Sequence, residues 1–167
     1  MLVAAMNPCP CGYFGDLKRE CRCSPVTVQR YRQRVSGPLL DRIDLHIEVP
    51  AVEYRDIASE RTEENSEAIR ERVEGARKIQ QQRFASGGIN CNARMATRQL
   101  KQYCKLGADS QELIRVAMTE LNLSARAYDR ILKVSRTIAD LDGKIDISPE
   151  HVSEAIQYRT FDRTLWV

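Results

Sequence analysis

The sequence lacks long hydrophobic runs, and with them the marks of a membrane or exported protein. The longest uninterrupted apolar stretch is residues 1–6, MLVAAM, which is too short to span a bilayer. The charged start and cleavage site of a signal peptide are missing as well. We therefore expect a cytoplasmic protein with no membrane partner, whose cysteines are reduced and bind metals more often than they form disulfides.

A phosphate-binding loop is also missing. No G-x-x-x-x-G-K-[ST] motif occurs, and no apolar run ends in paired acids. The residues that usually hold nucleotide phosphates and Mg²⁺ are therefore absent. We expect this chain to be inactive as a nucleotide hydrolase when it is alone.

Charge of one sign is not in excess overall, because 26 basic and 23 acidic residues give a net charge of +3. The distribution is uneven, however. Six basic residues, against the acids Asp16 and Glu20, lie close together at Lys18, Arg19, Arg22, Arg30, Arg32 and Arg34. This local excess could face a phosphate backbone or could be a solvated surface, and both interpretations stay open.

Helical patterns dominate the chain beyond about Pro50. The spacing of apolar residues predicts helices over residues 26–35, 62–85, 97–104 and 124–141, with two more that start at Asp109 and Pro149. Asp109 is the predicted cap of its helix, with Glu112 reciprocating. Ser124 and Ser148 are the predicted caps of the last two helices. The second half is thus predicted to be a helical bundle.

Two short stretches in the first half read as strands. Residues 1–6 form an apolar run typical of a buried strand, and residues 43–49 alternate apolar and polar side chains, which places His46 on a strand surface. A chain that starts with a buried strand lacks its sheet neighbours. We therefore expect this chain to be the end of a longer protein.

A cysteine cluster lies between these stretches. The segment CPCGYFGDLKRECRC places Cys9, Cys11, Cys21 and Cys23 within fifteen residues. Four thiolates at this spacing could close a tetrahedral sulfur cage around a structural zinc ion. Paired C-x-C motifs are less typical of zinc sites than C-x-x-C, so a cysteine-rich loop without metal stays an alternative.

Two arginines lie where simple helix physics does not favour them. Arg126 falls in the first turn of the helix that Ser124 caps, where the dipole favours anions. A guanidinium beside a helix N-terminus can form a phosphate site, and a solvated arginine tolerated at small cost is the alternative. Arg130 and Lys133 extend this basic face. Arg42 follows the break at Gly37 and Pro38, and could pair with a neighbouring aspartate or project toward the phosphate of an adjacent subunit.

Three motifs together resemble one family. The segments AAMNPCPCGYFGD, SGPLLDRIDLHIEVP and LSARAYDRILKVSRTIADL, in this order, resemble the C-terminal part of the magnesium-chelatase-like AAA+ ATPases, most closely the ComM/YifB group. The resemblance implies a mainly α fold with a small α/β remnant. Residues 1–60 would be the last strands of the AAA+ core with the cysteine loop, and residues 61–167 a helical lid.

The resemblance also implies roles for individual residues. Asn7 matches the sensor 1 residue, Arg42 the arginine finger and Arg126 the sensor 2 arginine, and the family's four-cysteine loop is intact. The cofactors implied for the longer protein are ATP and Mg²⁺, and its assembly is a homo-oligomeric ring, commonly a hexamer. ComM-like members are implied to act on DNA during recombination.

Two alternatives to this DNA-associated motor stay open. One is a zinc-stabilised module that binds nucleic acid through the basic stretch and has no ATPase role. The other is a true chelatase motor subunit that powers metal insertion into a porphyrin. The cysteine loop argues against the chelatase because it is associated with the ComM-like branch.

Overall fold

The computed structural model describes residues 1–16, 18–50, 52 and 64–159. Within them the chain is mainly helical, which confirms the predicted fold class. The predicted domain boundary at residues 60–61 and the predicted helix start at residue 62 lie outside the described residues. The helices are α1 (Pro25–Arg32), α2 (Gly37–Leu40), α3 (Ser66–Arg83), a 3₁₀ turn (Asn92–Arg94), α4 (Thr97–Tyr103), α5 (Ala108–Glu120), α6 (Ala125–Leu141) and α7 (Pro149–Gln157).

Neither predicted strand is formed. Residues 1–6 and 43–49 have no strand pairing, and side chains such as Val3 and Val49 are exposed. A strand needs a neighbour to satisfy its backbone groups, and the described residues provide none at these positions. The one parallel bridge found among them joins Leu106 to Ile147. His46 is therefore not a strand residue, and its amide donates instead to the carbonyl of Tyr158 at 3.0 Å.

Local signals placed most of the helices correctly. α1 begins after Ser24, whose hydroxyl accepts the amide of Thr27. α6 begins after Ser124, whose hydroxyl accepts the amide of Ala127 at 3.2 Å, as predicted. α6 ends where predicted, because Gly143 adopts a φ of +67° that glycine tolerates best.

The predicted cap of α5 is wrong. Gly107 occupies the N-cap position, and Asp109 lies inside the first turn. Glu112 does not return to the helix start, because its carboxylate accepts from Arg115 at 2.6 and 2.7 Å. A carboxylate in the first turn is still favoured by the helix dipole, which explains why the sequence signal pointed near the correct place.

The core lies between α4, α5, α6 and α7. Ile131 and Val152, from α6 and α7, are completely buried, and Ile114 of α5 is 3% exposed. Burying each of these side chains contributes about 1.5–3 kcal/mol to folding. The other buried members of this cluster are Phe84, Met95, Leu100, Cys104, Ala117, Leu132, Ala139, Ile147, Ala155 and Ile156.

A polar network is buried beside this core. The Asp140 carboxylate accepts from both terminal nitrogens of Arg83, at 2.5 and 2.7 Å, and from Nε of Arg136 at 3.1 Å. The side-chain nitrogen of Asn92 donates to the same carboxylate at 2.8 Å. The backbone amide of Asn92 donates to the Gln80 side-chain oxygen at 3.0 Å. The network fixes α3, the 3₁₀ turn and α6 relative to one another.

Candidate functional site

The four clustered cysteines lie together at one point. Their Sγ atoms are all within 4.8 Å of one another. The closest pairs are Cys9–Cys11 at 3.3 Å, Cys11–Cys21 at 3.6 Å and Cys9–Cys21 at 3.7 Å. Sulfur atoms at the corners of a tetrahedron with zinc–sulfur bonds of about 2.3 Å are about 3.8 Å apart. The cluster therefore has the size of a tetrahedral metal site.

Two turns between the cysteines produce this geometry. The amide of Gly12 donates to the Cys9 carbonyl at 3.0 Å, which closes a turn that Gly12 enters with a φ of +85°. The Asp16 carboxylate then accepts the amides of Lys18 and Arg19 at 2.7 and 3.0 Å. These turns direct the second C-x-C pair back onto the first.

The electrostatics differ among the four thiols. The backbone amide of Tyr13, followed by the Cys9 thiol, stabilises the Cys11 thiolate and lowers the pKa of Cys11 to about 6. The backbone amide of Cys23 favours the Cys21 thiolate, but desolvation and the neighbouring sulfurs outweigh it and raise the pKa of Cys21 to about 12. No disulfide joins the cysteines, which are all free. Four soft donors at this spacing fit a cation such as zinc.

α1 packs against the cysteine loop through Arg32. The Nε of Arg32 donates to the carbonyl of Pro8 at 3.3 Å, and its guanidinium carbon lies 4.7 Å from the centre of the Phe14 ring. The guanidinium carbon of Arg19 lies 5.2 Å from the centre of the Tyr13 ring. A terminal nitrogen of Arg19 donates to the Tyr13 hydroxyl at 2.7 Å. These contacts give the first half of the chain its local order.

Asn7, Arg42 and Arg126 are each exposed on a different segment. Asn7 lies at the edge of the cysteine loop, where its side-chain nitrogen would be 3.8 Å from a Cβ added at Gly12. Arg42 follows α2, and Arg126 is in the first turn of α6. Within the described ranges, no hydrogen bond or ion pair joins any two of the three, and they lie on three separate segments of the chain.

Residues 41–46 are held against the helical region. Asp44 pairs with Arg130 of α6 at 2.5 Å. Arg159, which is buried, donates to the carbonyl of Ile43 and lies 3.8 Å from Asp41. Together with the His46–Tyr158 bond, these contacts fix the backbone on both sides of Arg42. We call the paired residues Asp41, Asp44, Arg130 and Arg159 the clamp.

The clamp is the part of the site that sequence reasoning missed. The sequence suggested a neighbouring aspartate as a partner for Arg42, yet Asp44 pairs with Arg130, 86 residues away. The predicted basic face of α6 is correspondingly reduced, because Lys133 also bonds internally, to the carbonyl of Ala93 at 3.1 Å. Pairs so distant in the chain leave no local pattern that could have revealed them.

Comparison with known families decides the relationship. A family model described as "Magnesium chelatase, subunit ChlI C-terminal" matches residues 63–159, and a second, "Magnesium chelatase, subunit ChlI", matches residues 1–57. The chain belongs to the magnesium chelatase ChlI family. The resemblance inferred from the three motifs is thereby confirmed.

The chain is also similar to individual proteins over nearly its whole length. The chain is 43% identical over 165 residues to "Competence protein ComM" of Haemophilus influenzae. It is 38% identical to the uncharacterized YifB proteins of Salmonella typhimurium and Escherichia coli. These alignments cover 98% of this chain and 31% of each relative. The chain thus spans about a third of the length of the relatives it matches.

Among the residues that the structure describes, none of the helices combines the length and apolar character that crossing a membrane requires.

Proposed function

We propose that this chain is the C-terminal part of a ring-forming AAA+ ATPase of the ComM type, which couples ATP hydrolysis to work on DNA. The observation that carries the proposal is the 43% identity with Competence protein ComM, which extends over 98% of the chain. The ring is a homo-oligomer, most simply a hexamer. The nucleotide and Mg²⁺ are held by residues outside this chain.

Within that ATPase the chain supplies charge and hydrogen bonds to a site shared between subunits. Arg42 is the arginine finger, which stabilises the charge that develops on the transferred phosphoryl group. Arg126 acts as sensor 2 from the helical lid, and Asn7 acts as sensor 1 by orienting the attacking water. The exposure of all three side chains supports action on a neighbouring subunit or domain.

The clamp supports the role of Arg42. An arginine finger has to be presented at a fixed place to contribute in the transition state. Asp44 is bound to Arg130 of α6, the helix that carries Arg126, and Ile43 is bound to Arg159, which follows α7. Movement of the lid would therefore move the finger.

We propose further that the cysteine cluster holds a structural zinc ion. Cys9, Cys11, Cys21 and Cys23 supply four sulfur donors and thus fill a tetrahedral shell, so no position is left open for a reacting water. When bound, the metal would fix the fold of the loop. Arg32 of α1 donates to the carbonyl of Pro8, beside the first cysteine, and so holds α1 against the loop.

The test of the ATPase proposal is substitution of Arg42 in the longer protein. Arg42→Ala and Arg42→Lys should lower kcat for ATP hydrolysis by about a thousandfold or more while nucleotide binding persists. Arg98→Ala, at another exposed arginine on α4, is the matched control and should retain turnover. Normal turnover in the Arg42 variants would refute the assignment.

The two alternatives predict different results. A nucleic-acid-binding module without an ATPase role would show DNA binding but no effect of Arg42 on any turnover. A chelatase motor would hydrolyse ATP only in support of metal insertion into a porphyrin, and DNA would not alter its rate. Measuring ATP hydrolysis with and without DNA therefore separates the three.

A further inference from the structure

The tip of the cysteine loop presents two aromatic side chains between two glycines. Gly12 and Gly15 have φ values of +85° and +82°, which only glycine adopts easily, so the backbone turns sharply on both sides of Tyr13 and Phe14. The amide of Asp16 closes the second turn on the Tyr13 carbonyl at 3.1 Å. Phe14 is 47% exposed. The turn thus holds a flat apolar ring in solvent.

An arginine guanidinium lies close to each of these rings. The Arg19 guanidinium lies 5.2 Å from the Tyr13 ring centre, and that of Arg32 lies 4.7 Å from the Phe14 ring centre. A guanidinium held on a ring loses less conformational freedom when it meets a phosphate. The same arrangement leaves positive charge next to a surface on which a base can stack.

The loop and α1 pack together, so Arg32 of α1 lies beside the rings at the tip of the loop. The Cys9–Cys21 contact joins the two ends of the loop at 3.7 Å, Arg32 binds the Pro8 carbonyl, and Val28 of α1 is buried. The acid Asp16 is engaged by two backbone amides. We define the loop surface as Tyr13, Phe14, Lys18, Arg19, Arg22 and Arg32.

We propose that the loop surface binds single-stranded nucleic acid. The inference rests on the proposed function and names the face of the protein that meets its DNA. Arg19 and Arg22 contact phosphates, and unstacked bases lie against Tyr13 and Phe14. Single strands are favoured over a duplex because the bases of a duplex are already stacked and cannot reach the rings. The four-cysteine cluster brings the two ends of the loop together, and a zinc ion bound there would keep them in place.

The experiment measures binding of this chain to fluorescent oligo(dT) and to a duplex of equal length, about 20 nucleotides, by anisotropy without nucleotide present. Tyr13→Leu with Phe14→Leu should weaken oligo(dT) binding by about tenfold or more, since each stacked base is worth a comparable factor. Arg19→Gln with Arg22→Gln should lower the slope of log K against log salt by about 0.7 for each phosphate that is no longer neutralised, measured between about 50 and 200 mM salt.

Matched controls lie on the helical half. Tyr128→Leu removes an aromatic ring of α6 that is 38% exposed, and Arg70→Gln with Arg77→Gln removes two exposed charges of α3. Both should change binding by less than about twofold, because their side chains lie outside the loop surface. Zinc content is measured for every variant. If the Tyr13 and Phe14 variant loses its metal, its weaker binding is not interpreted, and the salt dependence of the Arg19 and Arg22 variant tests the proposal.

Three results would overturn the proposal: no binding of oligo(dT) by the unchanged chain, equal or tighter binding of the duplex, or an equal weakening of binding in the control variants. None of these depends on ATP. The ATPase proposal fails separately, through normal turnover in the Arg42 variants, so the two failures can be told apart.

Discussion

Asp44 and Arg130 form an ion pair at 2.5 Å although 86 residues separate them in the chain. The pair joins the segment after α2 to the second turn of α6, and Asp44 is two residues from Arg42. Its side chains are 50% and 30% exposed respectively, so solvent screens much of their attraction. Its importance therefore lies in position more than in stability.

Removing this pair should barely affect stability but should impair turnover. In Asp44→Asn and Arg130→Gln we expect a pairwise coupling of about 0.2–1 kcal/mol in a double-mutant cycle of unfolding. In the longer protein each single variant should lower kcat, because Arg42 loses its fixed presentation. The charge-swapped variant, Asp44→Arg with Arg130→Asp, should recover part of that loss. Full activity in both single variants would show that the pair does not position the finger.

Asp140 should be among the most sensitive positions of the helical half. Asp140→Asn leaves Arg83 and Arg136 facing each other in a buried environment without their shared counter-ion, where the two side chains are 13% and 3% exposed. We expect a loss of about 3–5 kcal/mol in the free energy of unfolding, measured with urea.

The control for Asp140 is the same chemical change on the surface. Glu112→Gln removes an acid whose partner Arg115 is mostly exposed, and it should leave the free energy of unfolding almost unchanged because solvent screens the pair. If the two variants were equally stable, the buried network would not contribute as its geometry indicates.

The cysteine cluster predicts the metal content of the protein. Purified without chelator, the chain should carry about one zinc ion, measured by elemental analysis. Cys9→Ser should lose it, because Cys9 is the fully buried member of the four. Cys91→Ser, at a cysteine outside the cluster, should keep it. A chain that contains no zinc before any substitution would leave the loop as a cysteine-rich turn.

The N-cap of α6 predicts a moderate stability effect. Ser124→Ala removes the hydroxyl that accepts the Ala127 amide at 3.2 Å and should cost about 1 kcal/mol. Ser153→Ala, at an exposed position inside α7, is the control and should be neutral or slightly stabilising, since alanine favours a helix interior. Equal effects of the two substitutions would mean that the cap does not contribute.

The sequence predictions were accurate where the interactions join residues that are close together in the chain. Both ends of α6 were predictable because Ser124 and Gly143 act on adjacent backbone groups. The cysteine cluster was predictable from spacing within one loop. Asp109 was misassigned by two positions because a carboxylate is favourable both at the cap and inside the first turn, and sequence alone does not distinguish the two places.

Long-range partners explain the remaining differences. The alternation in residues 43–49 predicted a strand, but these residues bind Arg130, Tyr158 and Arg159 instead. Arg83 of α3 reaches Asp140 across 57 residues, and no local pattern indicates that pairing. Which polar residues become buried depends on how helices pack, and that information is spread over the whole chain.

The bond from Arg159 to the carbonyl of Ile43 spans 116 residues, and this has a consequence for synthesis. A ribosome releases the chain from its N-terminus at about 5–20 residues per second, so the segment around Arg42 emerges long before its partner exists. The surroundings of Arg42 can be completed only after the last helix has been made. A chain that is interrupted before Arg159 would therefore carry Arg42 without the contacts that hold the backbone beside it.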